Sequence, residues 1–322
     1  MKNIFYPLQF LPILKERIWG GKKLNTFLNK PITSDFTGES WEISTVENDV
    51  SIIANGDFKG KTLNEIINEF PTEILGEKVV KQFGVQFPLL FKFLDAREDL
   101  SIQVHPNDEL AKKRHNSFGK TEMWYVMQAD EDARLIVGFT EKSSQDEYLK
   151  NLKENTLLTI LETKKVNQGD VFFLETGTVH AIGAGTIIAE IQQTSDITYR
   201  LYDFDRVDSN GNKRELHVDL ALDAINYNKI KAQKEYLKIE NKSNEVVRCD
   251  YFTTHYIPLK GNYSVQRTKD SFCVYMCVDG EFVLEFQNQK YNYRKGDTVL
   301  IPAEMNVYSF SGKASLLEIY IS

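Results

Sequence analysis

Gln103 and His105 stand two positions apart in Leu100-Ser101-Ile102-Gln103-Val104-His105, a segment that alternates polar and apolar residues. On a strand this spacing sends both side chains, with Ser101, to one face, opposite Ile102 and Val104. Glu122 stands just before the strand-like Met123-Trp124-Tyr125-Val126, and His180 ends a Gly-Asp strand. Two imidazoles, a carboxylate and an amide oxygen suit zinc or a neighbouring divalent ion. With one weak amide among them they leave a coordination position for water or substrate, which marks a catalytic site. The expectation is one such site per chain, from Gln103, His105, Glu122 and His180, on one wall of a β-barrel.

Taken singly, a histidine is more often a hydrogen-bonded core or surface residue than a ligand. The shared register of Gln103 and His105 favours the ligand reading here. His115, in Lys112-Lys113-Arg114-His115, reads as surface, His217 as a cap or packing residue, and His255 as an exposed strand position. A second polar cluster runs from Glu190 through Gln192 to Arg200. Glu190 and Gln192 share a strand face, and Arg200 belongs to the next strand. A salt-bridged hairpin is the plainer reading of that segment.

The elements that must position these groups are mostly strands. Phe87 to Leu94, Leu100 to His105, Met123 to Met127, Arg134 to Phe139, Val171 to Leu174 and Ile187 to Gln192 are short, apolar or alternating, and bounded by turn residues. Strands this short and frequent point to a barrel or sandwich. Helices are fewer. Thr62-Leu63-Asn64-Glu65 is a capping box whose helix should stop at Pro71. Ser144 to Leu161 and Arg214 to Asn226 carry helical spacing.

One internal repeat sharpens the metal reading. Gly169-Asp170-Val171-Phe172-Phe173-Leu174 and the residues up to His180 align without gaps on Gly296-Asp297-Thr298-Val299-Leu300-Ile301 and the residues up to Val307. Two related β-barrels follow, and only the first keeps the histidine. A boundary belongs in the polar stretch near residues 240–248.

Composition narrows the function classes. The chain has 322 residues, 42% hydrophobic and 26% charged, as expected of a globular protein. Its net charge of −7 and lack of a basic run argue against nucleic acid as a partner, while a few local cations could still hold one phosphate. Three cysteines without framework spacing fit a reduced, cytoplasmic location. Met1 to Leu14 does not read as a signal peptide, and no stretch approaches the roughly 20 apolar residues of a membrane span.

Leu100-Ser101-Ile102-Gln103-Val104-His105-Pro106, Gly119-Lys120-Thr121-Glu122-Met123-Trp124, Gly177-Thr178-Val179-His180-Ala181 and Thr198-Tyr199-Arg200-Leu201-Tyr202-Asp203 together resemble the type I mannose-6-phosphate isomerases of the cupin superfamily, in their short bacterial form. Trp19-Gly20-Gly21 and Gly38-Glu39-Ser40-Trp41-Glu42-Ile43-Ser44 extend the likeness to the N-terminal part. The resemblance implies a mainly β fold of two jelly-roll barrels. Residues 1–245 would form the metal-binding domain, with a helical insertion at about 141–162, and residues 246–322 a degenerate second barrel.

It further implies a zinc-dependent aldose–ketose isomerase acting on mannose 6-phosphate and fructose 6-phosphate. Zinc would sit on Gln103, His105, Glu122 and His180, with Arg200 an active-site arginine and Ser101, Lys120 and Glu190 near the substrate. Moving a carbonyl from C1 to C2 passes through a cis-enediolate and needs a base, which must be a carboxylate, a histidine or metal-bound hydroxide, and Glu190 is the candidate. Ser101 and Lys120 are candidates for the phosphate or the sugar hydroxyls. Two alternatives stay open: another metal cupin enzyme such as an iron oxygenase, and a sugar-phosphate-binding cupin without turnover. Monomer and dimer are equally open.

Overall fold

The computed structural model describes residues 4–207 and 211–322. Met1 to Asn3, part of the N-terminal stretch read above, lie outside the described residues. A seven-stranded antiparallel sheet runs in the order Ile13–Gly21, Thr37–Ile43, Leu89–Ala96, Thr186–Gln193, Glu122–Ala129, Val171–Leu174 and Gln233–Lys234. A five-stranded sheet runs Tyr199–Tyr202, Ile102–Val104, His180–Ile182, Arg134–Phe139 and Leu161–Lys165. The chain from Asn244 to Tyr320 builds a third, six-stranded sheet around the long strands Thr253–Gln266, Cys273–Phe286 and Val307–Tyr320.

Strand periodicity assigns each face. Met123, Tyr125, Ile187, Ala189, Ile191, Phe91 and Phe93 pack into one core with the third sheet. Their neighbours Trp124, Val126, Ile188 and Leu94 face the other way, against Leu135, Val137 and Ile182 of the five-stranded sheet. The outer face of that sheet carries Ile102, Val104, Ile136, Val179 and Ala181, covered by Tyr148, Leu157, Ala221 and Ile225. The middle of the seven-stranded sheet is therefore buried on both faces, and its central strand Thr186–Gln193 is buried at every position. Full burial of one large apolar side chain such as Phe91 contributes about 1.5–3 kcal/mol, which makes the strand register hard to shift.

The expectation of a mainly β, cupin-type fold holds. The Thr62–Glu65 capping box forms and starts the helix Leu63–Glu69. Pro71 ends that run, as expected, but also takes the first position of a second helix, Pro71–Leu75, where its missing N–H is harmless. The insertion holds the helix Gln145–Lys153, capped by Ser144, and a single 3₁₀ turn at Leu157–Ile160.

Two helical readings change. Only Val218–Leu222 of the segment 214–226 is helical, because Arg214 and His217 are engaged by Asp203 and Arg200 instead. The segment around His115, read as surface and assigned no helix, is the helix Asp108–His115, capped by Asn107.

The repeat is present in detail. In the first copy the Asp170 side chain accepts from the Asn167 amide at 2.8 Å, and in the second Asp297 accepts from Arg294 at 2.8 Å. Gly169 and Gly296 take φ values of 91° and 93°. His180 and Val307 each open the strand after the repeat, so His180 begins a strand instead of ending one. Gly296 also touches the first part of the molecule: a Cβ there would lie 2.6 Å from the Leu28 carbonyl oxygen. Gly296→Ala should destabilise the protein by at least about 2 kcal/mol through combined backbone strain and contact, seen as a clear drop in thermal midpoint. An unchanged midpoint would show that this turn tolerates side chains.

Candidate metal centre

Backbone register lines the site up. Gln103 lies between two partners on the five-stranded sheet, paired with Arg200 on one side and His180 on the other. All three residues alternate with outward-facing apolar ones, so their side chains enter the space between the sheets. On the facing sheet, Glu190 pairs with Lys92 and with Trp124, and Gln192 pairs with Glu122. The expected single wall is thus corrected: Gln103 and His180 come from one sheet, Glu122 from the other, and His105 from just past the strand Ile102–Val104. Glu122 is the first residue of its strand and does not precede it.

His105, Glu122 and His180 are 2, 0 and 1% exposed, and their ligand atoms all lie within 4.8 Å of one another. Each imidazole is held in the same tautomer. Nδ1 of His105 lies 2.8 Å from the Ile197 carbonyl oxygen, and Nδ1 of His180 lies 2.8 Å from that of Thr178. Nδ1 therefore carries the proton, and each Nε2 lone pair faces the centre. Burial, with Lys120 and His180 adding to it, pushes His105 well below the usual histidine range. Burial takes His180 down to about 4 against the opposing pull of the Thr178 carbonyl. Both rings are neutral ligands at pH 7.

Glu122 completes the set. Its carboxylate oxygens are 3.4 Å from Nε2 of His180 and 3.6 Å from Nε2 of His105. Neither oxygen has a well-formed hydrogen bond although both are fully buried. Burial lifts this carboxyl to about 7, with Lys120 pulling the other way. Gln103 extends its amide to 3.2 Å from Nε2 of His180. Two neutral imidazole lone pairs and a buried carboxylate at one point fit a divalent cation. Among the described residues, no other group of three or more His, Cys, Asp or Glu converges in this way.

Lys120 reaches the same point, with Nζ 3.0 Å from Glu122 and 3.1 Å from Nε2 of His105. Burial would deprotonate it, but Glu122 and Glu190 outweigh that and hold it protonated. Above lies a cleft of about 480 Å³, lined among others by Ser101, Gln103, Lys120, Glu190 and Arg200. All the candidate residues therefore come together, the three buried ligands one layer beneath the cleft.

Glu190 does not form the salt-bridged hairpin with Arg200. It accepts from Trp124 Nε1 at 3.0 Å and pairs with Lys92 at 3.4 Å. Burial alone would raise its carboxyl, yet Lys120 and Lys92 hold it near 2. Arg200 donates from Nη1 to the Glu215 carbonyl oxygen at 2.8 Å, and its Nε is buried without a hydrogen bond.

The other histidines fall away from this centre. Nε2 of His115 lies 2.8 Å from the Tyr199 hydroxyl, and Nδ1 of His217 accepts from the Arg200 amide at 3.1 Å. His255 is not an exposed strand residue: its side chain is 14% exposed, beside Ser243 and Glu318.

Sequence reasoning missed several residues of the cleft. Lys92, 3% exposed, stands in the middle of the apolar run from Phe87 to Leu94, with its ammonium 4.8 Å from the Trp41 ring centroid. A lone lysine in a strand buried on both faces was the available signal. Arg17 pairs with Glu39 at 2.7 Å, and Arg214 is held by Asp203 at 2.7 Å. Arg17 and Arg214 both line the cleft and had no local signature.

Comparison with known proteins agrees with this geometry. A family model described as the catalytic domain of type I phosphomannose isomerase matches residues 8–148. A second, described as the cupin domain of mannose-6-phosphate isomerase, matches residues 242–321. The mannose-6-phosphate isomerase of Bacillus subtilis is 37% identical, over 97% of this chain and 98% of its own length. That of Streptococcus mutans is 36% identical, over 97% of each. A crystal structure of the mannose 6-phosphate isomerase from Bacillus subtilis superposes with a TM-score of 0.89 at 34% identity, covering 97% of this chain and 99% of that one. The chain belongs to the type I phosphomannose isomerase family.

Proposed function

We propose that this enzyme interconverts D-mannose 6-phosphate and D-fructose 6-phosphate through a cis-enediolate, with one zinc ion held by Gln103, His105, Glu122 and His180. The carrying observation is the pair of neutral imidazoles, locked in one tautomer and converging with a buried carboxylate that Lys120 pairs at 3.0 Å, below a cleft lined by Arg17, Arg200 and Arg214. Gln103 would add its amide oxygen as the weakest donor. A divalent ion at this point supplies Lewis-acid stabilisation of the negative charge that develops on the sugar oxygens.

The protein's own groups divide the remaining work. Arg200 lines the cleft with Arg17 and Arg214, and these guanidiniums suit a phosphate dianion. Asp203 orients Arg214 by accepting from its Nε at 2.7 Å. Ser101 and Lys120 face the sugar, with Lys120 on the metal side. Glu190 moves the proton between C2 and C1. In the resting protein it is a weak base, because Lys120 and Lys92 stabilise its anion. An anionic substrate beside those two ammoniums draws off part of that stabilisation and raises the basicity of Glu190.

We place the division between the metal-holding part, residues 1–245, and the second barrel, residues 246–322, where the polar stretch near 240–248 runs into the third sheet's first strand, Asn244–Arg248. The chain's three free thiols are compatible with a cytoplasmic setting.

Three outcomes test this reading. Stripping the metal with a chelator should abolish turnover and lower the thermal midpoint, and zinc should restore both. Turnover by protein shown metal-free by elemental analysis would refute the metal-dependent mechanism. Native iron in that analysis would favour the oxygenase alternative, and stabilisation by mannose 6-phosphate without product would favour the non-catalytic one. Glu190→Gln should lower kcat by at least about 100-fold with little change in KM, and should stop exchange of the C2 proton with solvent; near-normal exchange would remove Glu190 as the base. Arg200→Ala should lower kcat/KM by about 10- to 100-fold, and near-normal turnover would remove its role.

A further inference from the structure

The loop that carries Lys120 has no strand ladder of its own, so its backbone groups must find partners elsewhere. Ser195 Oγ donates to the Phe118 carbonyl at 2.8 Å, and the Gly119 amide donates to Asp108 Oδ1 at 2.8 Å. The Thr121 amide donates to Gln193 Oε1 at 2.8 Å, while the Gln193 amide donates to the Thr121 carbonyl at 3.1 Å. Gln193 Nε2 in turn donates to Asp108 Oδ1 at 3.1 Å. Asp108 is therefore the hub of the clamp on both sides of Lys120. Its position is tight, since a Cβ on Gly119 would lie 2.8 Å from the Asp108 amide nitrogen.

The other oxygen of that carboxylate accepts from outside this part of the molecule. The Tyr251 hydroxyl donates to Asp108 Oδ2 at 2.6 Å, across 143 residues of sequence. Tyr251 stands in the short link between the strands Asn244–Arg248 and Thr253–Gln266 of the third sheet. The link is closed by the Cys249 amide donating to the Phe252 carbonyl at 3.0 Å and anchored by fully buried Phe252. Asn107 already caps the helix that Asp108 begins, so the Asp108 side chain is not needed for that. Burial, reinforced by Asp108, raises the Tyr251 hydroxyl above its usual range and keeps it a donor.

We propose that Tyr251 is a positioning residue for the reaction: by fixing Asp108, it holds the Gly119–Thr121 backbone and so places the Lys120 ammonium at the metal centre. The second barrel, which contributes no ligand, thereby acts on the site of the first. This inference rests on the reading of Lys120 as part of the reaction machinery.

Tyr251→Phe in the full-length protein removes one hydroxyl and leaves the ring in place. It should lower kcat about tenfold with KM changed less than about twofold. Amide exchange at Gly119 and Thr121 should quicken about tenfold, while metal content is unchanged and the thermal midpoint stays within about 5 °C. Asp108→Ala should act in the same direction, and Tyr251→Phe should add little in its background, because the two belong to one network. A kcat within twofold of the unaltered protein, or unchanged exchange at Gly119 and Thr121, overturns the proposal. Lys120→Met with normal turnover would instead overturn the reading of Lys120, and the exchange measurement would still decide whether Tyr251 holds the loop.

Discussion

Lys92, Lys120, Glu122 and Glu190, none more than 4% exposed, put two positive and two negative charges between the same two sheets. Desolvating one such ion costs several kcal/mol unless close partners compensate. Compensation is visible in pairs: Lys92 on Glu190, Lys120 on Glu122, and Trp124 donating to Glu190. This balance constrains everything around it. Removing any one member leaves an uncompensated charge in a dry interior. Adding a divalent cation changes what the two carboxylates and two ammoniums do to one another. The soft point is Glu122, which is lifted to about 7 and has no well-formed hydrogen bond.

A strongly apolar shell makes so polar an interior tolerable. The seven-stranded sheet is packed on its far side by the third sheet, where Tyr125, Phe91 and Phe93 join a core shared with Tyr256 and Phe272. Its middle strands are thus committed on both faces, one to this core and the other to the polar site and the apolar packing beside it. The third sheet serves the site at a distance, as backing for the strands that bear Lys92, Glu122 and Glu190.

Much of this was legible in the sequence because strands report their faces with a period of two. Gln103 and His105 disclosed a shared face, and the Gly-Asp repeat disclosed two related β units, of which only the first keeps the histidine. What stayed hidden was relational. Nothing local says that the strand bearing Glu122 lies in the sheet opposite Gln103, so a site between two sheets read as a site on one wall. Lys92 hid inside an apolar run whose alternation is masked by burial on both sides. The stretch 214–226 carries helical spacing, but Asp203 and Arg200 recruit Arg214 and His217 first, and only Val218–Leu222 winds up. His255 looked exposed because its partners, Ser243 and Glu318, lie 12 and 63 residues away in sequence.

The strand Ile102–Val104 is only three residues long, yet Gln103 at its centre is matched to Arg200 on one side and His180 on the other. Position on such a strand behaves as a parity. Even displacements preserve which face a side chain takes, and odd ones exchange the amide and imidazole for Ile102 and Val104. Evolutionary or engineered drift in the flanking loops is therefore quantised at this strand. Insertions absorbed outside it are silent, and a single residue absorbed within it would turn the centre inside out.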